Sequence, residues 1–204
     1  SKAAAEIIFN AYLKSNFFNL KKIGIATARA GNVIGGGDWS KNRILPDIFR
    51  AIQKKKPLYI RNPSATRPWQ HVLDPLHGYM ILAKKLYDKK KGFDQAWNFG
   101  PEPRNVKSVK KIVEDVNITW NLKIKSISIK KKNFKEEQIL KLNSIKAKKL
   151  LKWKPLLPYN KTIKLTVDWY RKYLENKNMK TFTLKQIELF EKLIDDKIKK
   201  NNFK

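Results

Sequence analysis

Arg67, followed by Pro68 and Trp69, and Asn32, inside a glycine-dense stretch, are the residues of this chain best suited to hold an anion. A guanidinium presents parallel N–H donors in a fork that matches phosphate or carboxylate oxygens. Asn32 offers an amide N–H and a carbonyl just beyond a short apolar run, and the glycines from Gly31 to Asp38 let a ligand approach the main chain closely. Each residue also has a plainer reading. Arg67 could simply stack on the Trp69 indole, and Asn32 could be a turn residue ahead of a glycine loop. Gly35-Gly36-Gly37 is no Walker loop, since no Gly-Lys-Ser/Thr follows. Lys2 is the third candidate, opening the helix-patterned run Ala3-Ala4-Ala5-Glu6-Ile7-Ile8-Phe9; its plainer reading is one solvated lysine among 46 basic residues.

Composition removes several other chemistries. With no cysteine there are no disulfides, thiolate nucleophiles or thiolate metal sites. His71 and His77 are the only histidines, too few for a His-rich metal site, so both read as structural and no metal site is expected. No apolar run approaches the ~18 residues of a membrane span, and no basic-then-apolar leader is seen, so a cytoplasmic protein without a membrane partner is expected. The formal charge of +29 invites a nucleic-acid reading. The positives are mostly lysines scattered in short runs among many Asn and Ile, as A/T-rich codons would produce on any solvated surface. No nucleic-acid-binding motif accompanies them. A basic nucleic-acid or anionic-surface binder therefore stands only as the alternative from a different class.

These residues need elements to position them. Lys2 to about Phe18 has helical spacing, and Lys22 to Ala28 suits a buried parallel strand leading into the glycine loop. Ligands in open α/β sheets sit at the carboxyl ends of strands, which makes that loop the first place to look. Ile44 to Ile52 reads as a helix, Pro57 to Ile60 as a strand, and Trp69 to Val72 as extended. Asp74-Pro75 starts a helix reaching about Tyr87. A strand over Ala96 to Pro101, an amphipathic segment from Val106 to about Val116, and strands over Lys123 to Ile129 and Ile139 to Leu142 follow. Helices over Ser144 to Leu151, Thr162 to Leu174 and Leu184 to Ile198 complete an α/β pattern that becomes helix-rich.

Four stretches, in order, carry a family resemblance. They are Ser1-Lys2-Ala3-Ala4-Ala5-Glu6; Ala28-Arg29-Ala30-Gly31-Asn32-Val33-Ile34-Gly35-Gly36-Gly37-Asp38-Trp39; Arg67-Pro68-Trp69-Gln70-His71-Val72-Leu73-Asp74; and Leu142-Asn143-Ser144-Ile145-Lys146-Ala147 through Leu151-Lys152-Trp153-Lys154-Pro155. They resemble the Tyr-x-x-x-Lys helix, R-x-x-N-V-x-G, R-x-x-x-x-V-x-D and L-D-x-x-K-A…L-G-W-x-P segments of the extended short-chain dehydrogenase/reductases, the NAD-dependent epimerase/dehydratase family. Gly35 to Asp47 and Asn62 to Leu73 are most similar to the branch that converts CDP-glucose to its 4-keto-6-deoxy product. Asn143 for Asp and Lys152 for Gly depart from the tail pattern.

The resemblance implies an α/β fold: the C-terminal portion of such an enzyme, with the last elements of a Rossmann-type sheet plus a smaller, helix-rich substrate lobe. It divides the chain into 1–40, a remnant of the dinucleotide-binding domain; 41–175, mostly substrate lobe with segments near 69–100 returning to the sheet; and 176–204, a helical extension. It implies NAD as cofactor, with Lys2 and Gly31 beside it, and Lys2 as catalytic partner of a tyrosine three residues ahead of Ser1. It places Asn32 and Arg67 on the diphosphate of a nucleotide sugar, Arg43 and Ile44 near it, and Tyr59, Ile60 and Arg61 by the base and sugar. CDP-glucose is the expected substrate and a homodimer the expected assembly of the full-length enzyme. The glycine dinucleotide fingerprint and the tyrosine are missing from this sequence. The expectation is therefore a fragment without dehydratase turnover on its own; an epimerase or reductase of the same family is the alternative.

Overall fold

The computed structural model describes residues 2–15, 23–129 and 142–202. Helix α1 (Lys2–Lys14) is followed by strands β1 (Thr27–Ala30) and β2 (Asn32–Ile34). Helix α2 (Ile44–Lys54), strands β3 (Leu58–Ile60) and β4 (Thr66–His71), and helix α3 (Leu73–Tyr87) come next. Strand β5 (Ala96–Phe99), a 3-10 turn (Pro103–Asn105), β6 (Val106–Ser108), α4 (Val109–Trp120) and β7 (Ser126–Ser128) follow. Three helices close the described chain: α5 (Ile145–Leu150), α6 (Tyr159–Leu174) and α7 (Met179–Asn202).

The strands pair over long sequence separations. β1 lies parallel to β5, with Thr27 opposite Ala96 and Ala30 opposite Phe99. β2 lies parallel to β4, with Asn32 opposite Trp69, and β6 runs antiparallel on the other side of β4. β3 lies parallel to β7. Two apolar cores result. One joins Ile48 and Phe49 of α2, Trp69, Ile112 and Val116 of α4, and Val167 and Tyr170 of α6. The other joins Leu82, Trp97, Phe99, Ala147, Leu151 and Trp153. Residues 145–153 thus pack on β5 and α3 rather than on the α2–α4–α6 core. Helix α7 touches both regions: Met179 and Phe182 lie against the first core, and Phe190 meets the His77 ring at 6.0 Å.

Several elements start away from their sequence-based positions, each for a local reason. The strand expected from Lys22 begins at Thr27, and the glycine stretch holds a second strand, β2, because parallel pairing to β4 captures Asn32 to Ile34. The amphipathic segment from Val106 opens as β6 and turns helical only at Val109, where the Ser108 hydroxyl accepts the Lys111 N–H at 3.1 Å. Helix α7 begins five residues before Leu184, with the Asn178 side chain accepting the Thr181 N–H at 3.0 Å. The expected end of the first helix beyond Ser15, the Lys22 start of the first strand, and 139–141 of the strand over Ile139 to Leu142 lie outside the described residues.

The third and fourth motifs meet at Asp74. Its carboxylate accepts the Leu156 N–H at 2.7 Å, and its carbonyl accepts the Trp153 indole N–H at 3.0 Å. Burial pushes the Asp74 carboxyl up to about 7, against the downward pull of the Leu156 and Leu157 N–H groups and Lys197. Burial also lowers nearby His71 to about 4. The two act in opposite senses. Asp74, raised in the folded state, contributes stability that is lost as pH rises through about 7; His71, lowered, contributes stability that is lost as pH falls through about 4. Between roughly pH 6.5 and 4 their slopes offset. Asp74→Asn should unmask the histidine, so that stability drops by about 3 kcal/mol more than in the parent over that interval. Urea unfolding at the two pH values measures this, and parallel profiles would contradict it.

Candidate functional site

A cavity of about 510 Å³ opens between β2, β3, β4 and the loop into α2. Gly31, Asn32, Arg43, Ile44, Tyr59, Ile60, Arg61 and Arg67 all line it. Residues up to 36 positions apart in sequence are gathered by two facts of topology. Parallel pairing sets Asn32 beside Trp69, and alternation along β4 puts Arg67 and Trp69 on one face. Asn32 and Arg67 therefore share a hollow. Arg67 is 9% exposed and its Nη1 donates to the Thr66 carbonyl at 2.8 Å. The Trp69 indole N–H is committed to the Lys107 carbonyl at 2.9 Å, which holds the ring as part of the wall.

Facing this sheet wall is the loop from Gly35 to Arg43 and the first turn of α2. Arg43 precedes the helix in extended conformation, and no side chain caps the helix's first N–H groups. An uncapped helix N-terminus carries partial positive charge and open donors, so it favours an anion. Aromatic packing fixes the loop. A Cβ on Gly36 would stand 2.0 Å from Trp169 Cγ, so only glycine lets the loop lie flat on that indole. Trp39 sets its ring edge-on to Tyr170 at 5.2 Å, and the Tyr170 hydroxyl donates to the Asp38 carbonyl at 2.5 Å. Burial, and then the nearby Asp38 charge, hold the Tyr170 phenol well above its ordinary value, so it stays a donor.

Asp38 was not selected from sequence, yet it lines the cavity. Its Oδ1 accepts the Ser40 N–H at 2.9 Å and its Oδ2 accepts from Arg43 at 3.2 Å. Burial alone would raise its pKa, but the Ser40 backbone and hydroxyl and the Arg43 guanidinium outweigh that and hold it below the usual carboxylate range. The legible signal was an acid ahead of Ser40 in an Asx-type turn with an arginine five residues on. Asn42, Asn62 and Trp69 are further lining residues that spacing did not reveal.

The remaining expected site residue, Lys2, heads α1, and its side chain lies outside the described atoms. The helix is tied to β1 through Glu6, which accepts the Thr27 hydroxyl at 3.0 Å and pairs with Arg29 at 3.5 Å. Gly31 borders the cavity, but a Cβ there would press on Pro68 at 3.1 Å, so close packing on β4 explains the glycine. The sequence holds no Gly-x-x-Gly-x-x-Gly run of the kind that cradles a dinucleotide pyrophosphate. Nor do the described residues contain a group of three His, Asp or Glu side chains able to hold a metal.

The chain is similar to known proteins along most of its length. Over 184 residues, 88% of its length, the chain is 38% identical to CDP-glucose 4,6-dehydratase of Salmonella typhimurium. The chain resembles a nucleotide-sugar dehydratase. It spans about half of that relative, 51%. Among solved structures it is similar to dTDP-glucose 4,6-dehydratase of Bacillus anthracis in complex with NAD, with a TM-score of 0.66 at 21% identity, covering 85% of this chain and 51% of that one. UDP-glucuronic acid 4-epimerase of Bacillus cereus, with UDP-glucuronic acid and NAD, gives 0.70 at 17% identity, covering 84% and 51%. The α/β fold is that of the C-terminal part of these extended short-chain dehydrogenase/reductases. No family model matches the chain.

Proposed function

We propose that this chain is the nucleotide-sugar-binding portion of an NAD-dependent 4,6-dehydratase, and that CDP-glucose is the sugar it holds. The observation that carries the proposal is that Asn32, Arg43, Ile44, Tyr59, Ile60, Arg61 and Arg67, the residues that the resemblance assigns to substrate, line one shared cavity. In this reading the diphosphate lies against Asn32 and Arg67, near Arg43, Ile44 and the open end of α2. The sugar and base lie toward Tyr59, Ile60 and Arg61. Similarity to a CDP-glucose enzyme at 38% identity supports the choice of substrate over the epimerase and reductase alternatives, and the gathered site supports it over a charge-only nucleic-acid binder.

The described residues bind and orient; they do not complete the chemistry. With no such glycine run in the sequence, no step of the dehydration is assigned to them, and NAD would be held mainly by segments that this sequence does not contain, with Lys2 and Gly31 at the border. A homodimer and a cytoplasmic location are part of the proposal; the exposed Ile7 and Ile8 on α1 offer apolar surface for such an assembly. None of the described helices is long and apolar enough to cross a membrane.

Calorimetric titration of the 204-residue chain tests the reading. CDP-glucose should bind, and glucose should not. With NAD added, the chain alone should show no conversion of CDP-glucose, and turnover should require a separately supplied N-terminal half. Heats for CDP-glucose no larger than for glucose would contradict the assignment.

A further inference from the structure

The carboxylate of Asp38 is an unexpected wall for a cavity read as a diphosphate site, because a fixed anion repels another. Its position suggests a different partner. Asp38 sits on the loop that lines the cavity together with the sheet residues Asn32 and Arg67. The loop is clamped to β3 where Arg61 Nη2 donates to the Asn42 carbonyl at 3.0 Å. On β3, Leu58 and Ile60 are buried while Tyr59 is 58% exposed, which leaves its ring free to face a planar group. A stacking face and an anionic acceptor thus belong to walls that meet.

Hydrogen-bond capacity narrows what the acceptor receives. An ionised carboxylate has about four lone-pair sites. Two are used by the Ser40 N–H and Arg43, and the Ser40 hydroxyl bears on the same carboxylate. These contacts hold the carboxylate at both oxygens and leave about one acceptor site for a ligand. The Tyr170 hydroxyl on the Asp38 carbonyl and the Gly36–Trp169 contact fix the main chain beneath it. The site is thus built to accept from an N–H or O–H donor.

We propose that Asp38 determines base specificity in the nucleotide-sugar site by accepting a hydrogen bond from the exocyclic amine of cytosine stacked on Tyr59. Cytosine presents an amino donor at its 4-position, whereas uracil and thymine present a carbonyl acceptor there. A fixed carboxylate facing that carbonyl would set acceptor against acceptor and leave both unpaired. The carboxylate is part-exposed, so discrimination comes from one charge-assisted bond, on the order of ten- to a hundredfold in affinity. Arg43 and the Ser40 N–H are positioning groups here, acting through Asp38.

This inference rests on the proposed nucleotide-sugar site and is tested beside it. CDP-glucose and UDP-glucose are titrated calorimetrically into the 204-residue chain and into Asp38→Asn, with thermal melts to confirm folding. The parent should prefer CDP-glucose by at least about tenfold, and Asp38→Asn should erase most of that preference, chiefly by weakening CDP-glucose. Tyr170→Phe, which keeps the ring but loses the hydroxyl, should reduce the preference part-way and serves if Asp38→Asn fails to fold. Equal weakening of both ligands would mean that Asp38 contacts the ribose or sugar hydroxyls, and would overturn base reading while leaving the site intact. Unchanged discrimination in both variants, or no preference in the parent, would overturn it too. Binding of neither ligand by the parent would remove the site and this inference together.

Discussion

Trp153→Ala is expected to cost about 3–5 kcal/mol of folding stability, the range for deleting a large aromatic side chain from a core. Trp153 is fully buried, meets Phe99 edge-on at 5.1 Å and donates its indole N–H to the Asp74 carbonyl. No collapse can refill the space cheaply. Gly78 of α3 leaves room for no more than a hydrogen between the helix and Phe99, since a Cβ there would stand 2.3 Å from the ring. Trp153→Phe separates the two contributions. It keeps most of the ring volume but loses the indole N–H bond to the Asp74 carbonyl, and should lose about 0.5–1.5 kcal/mol. Urea midpoints with an unchanged m-value would report this directly. A loss under about 1 kcal/mol for the alanine variant would mean that residues 145–157 do not anchor α3 and β5.

Arg67→Ala should weaken CDP-glucose binding by roughly ten- to a hundredfold while leaving cytidine, which has no phosphate, unaffected. The guanidinium is nearly buried on the cavity wall, so its interaction with a diphosphate is poorly screened by water. Arg67→Lys should recover only part of the loss, because an ammonium keeps the charge but not the planar fork. The contrast between the two ligands matters more than the size of either effect. A general disturbance of β4 would weaken cytidine and CDP-glucose alike. A loss confined to the phosphate-bearing ligand identifies Arg67 as a diphosphate contact, and equal affinity in parent and variant would remove it from the site.

The helices of this chain were legible because their apolar spacing is regular: α2, α3 and α6 fall within a few residues of where periodicity puts them. Of the eight cavity-lining residues assigned to substrate or cofactor, Gly31, Asn32, Arg43, Ile44 and Arg67 sit in short motifs, while Tyr59, Ile60 and Arg61 came only with the family resemblance. Pairing was not legible. β2 is three residues long within a glycine stretch and exists because β4 lies alongside it, a long-range event that no local pattern encodes. Asp38 was passed over for a related reason. Its significance comes from facing Arg43 across a turn and from the Tyr170 hydroxyl, 132 residues away, that holds its carbonyl. Asp74 shows the reverse case: two separately recognised motifs turned out to be one structure, joined by its carboxylate and carbonyl.

A crystal structure of the chain with CDP-glucose puts the substrate site to the most direct trial. The diphosphate should lie within hydrogen-bond distance of Arg67 and the Asn32 main chain, with the base over Tyr59. A nucleotide found on another face, or a cavity still empty at saturating ligand, would contradict it.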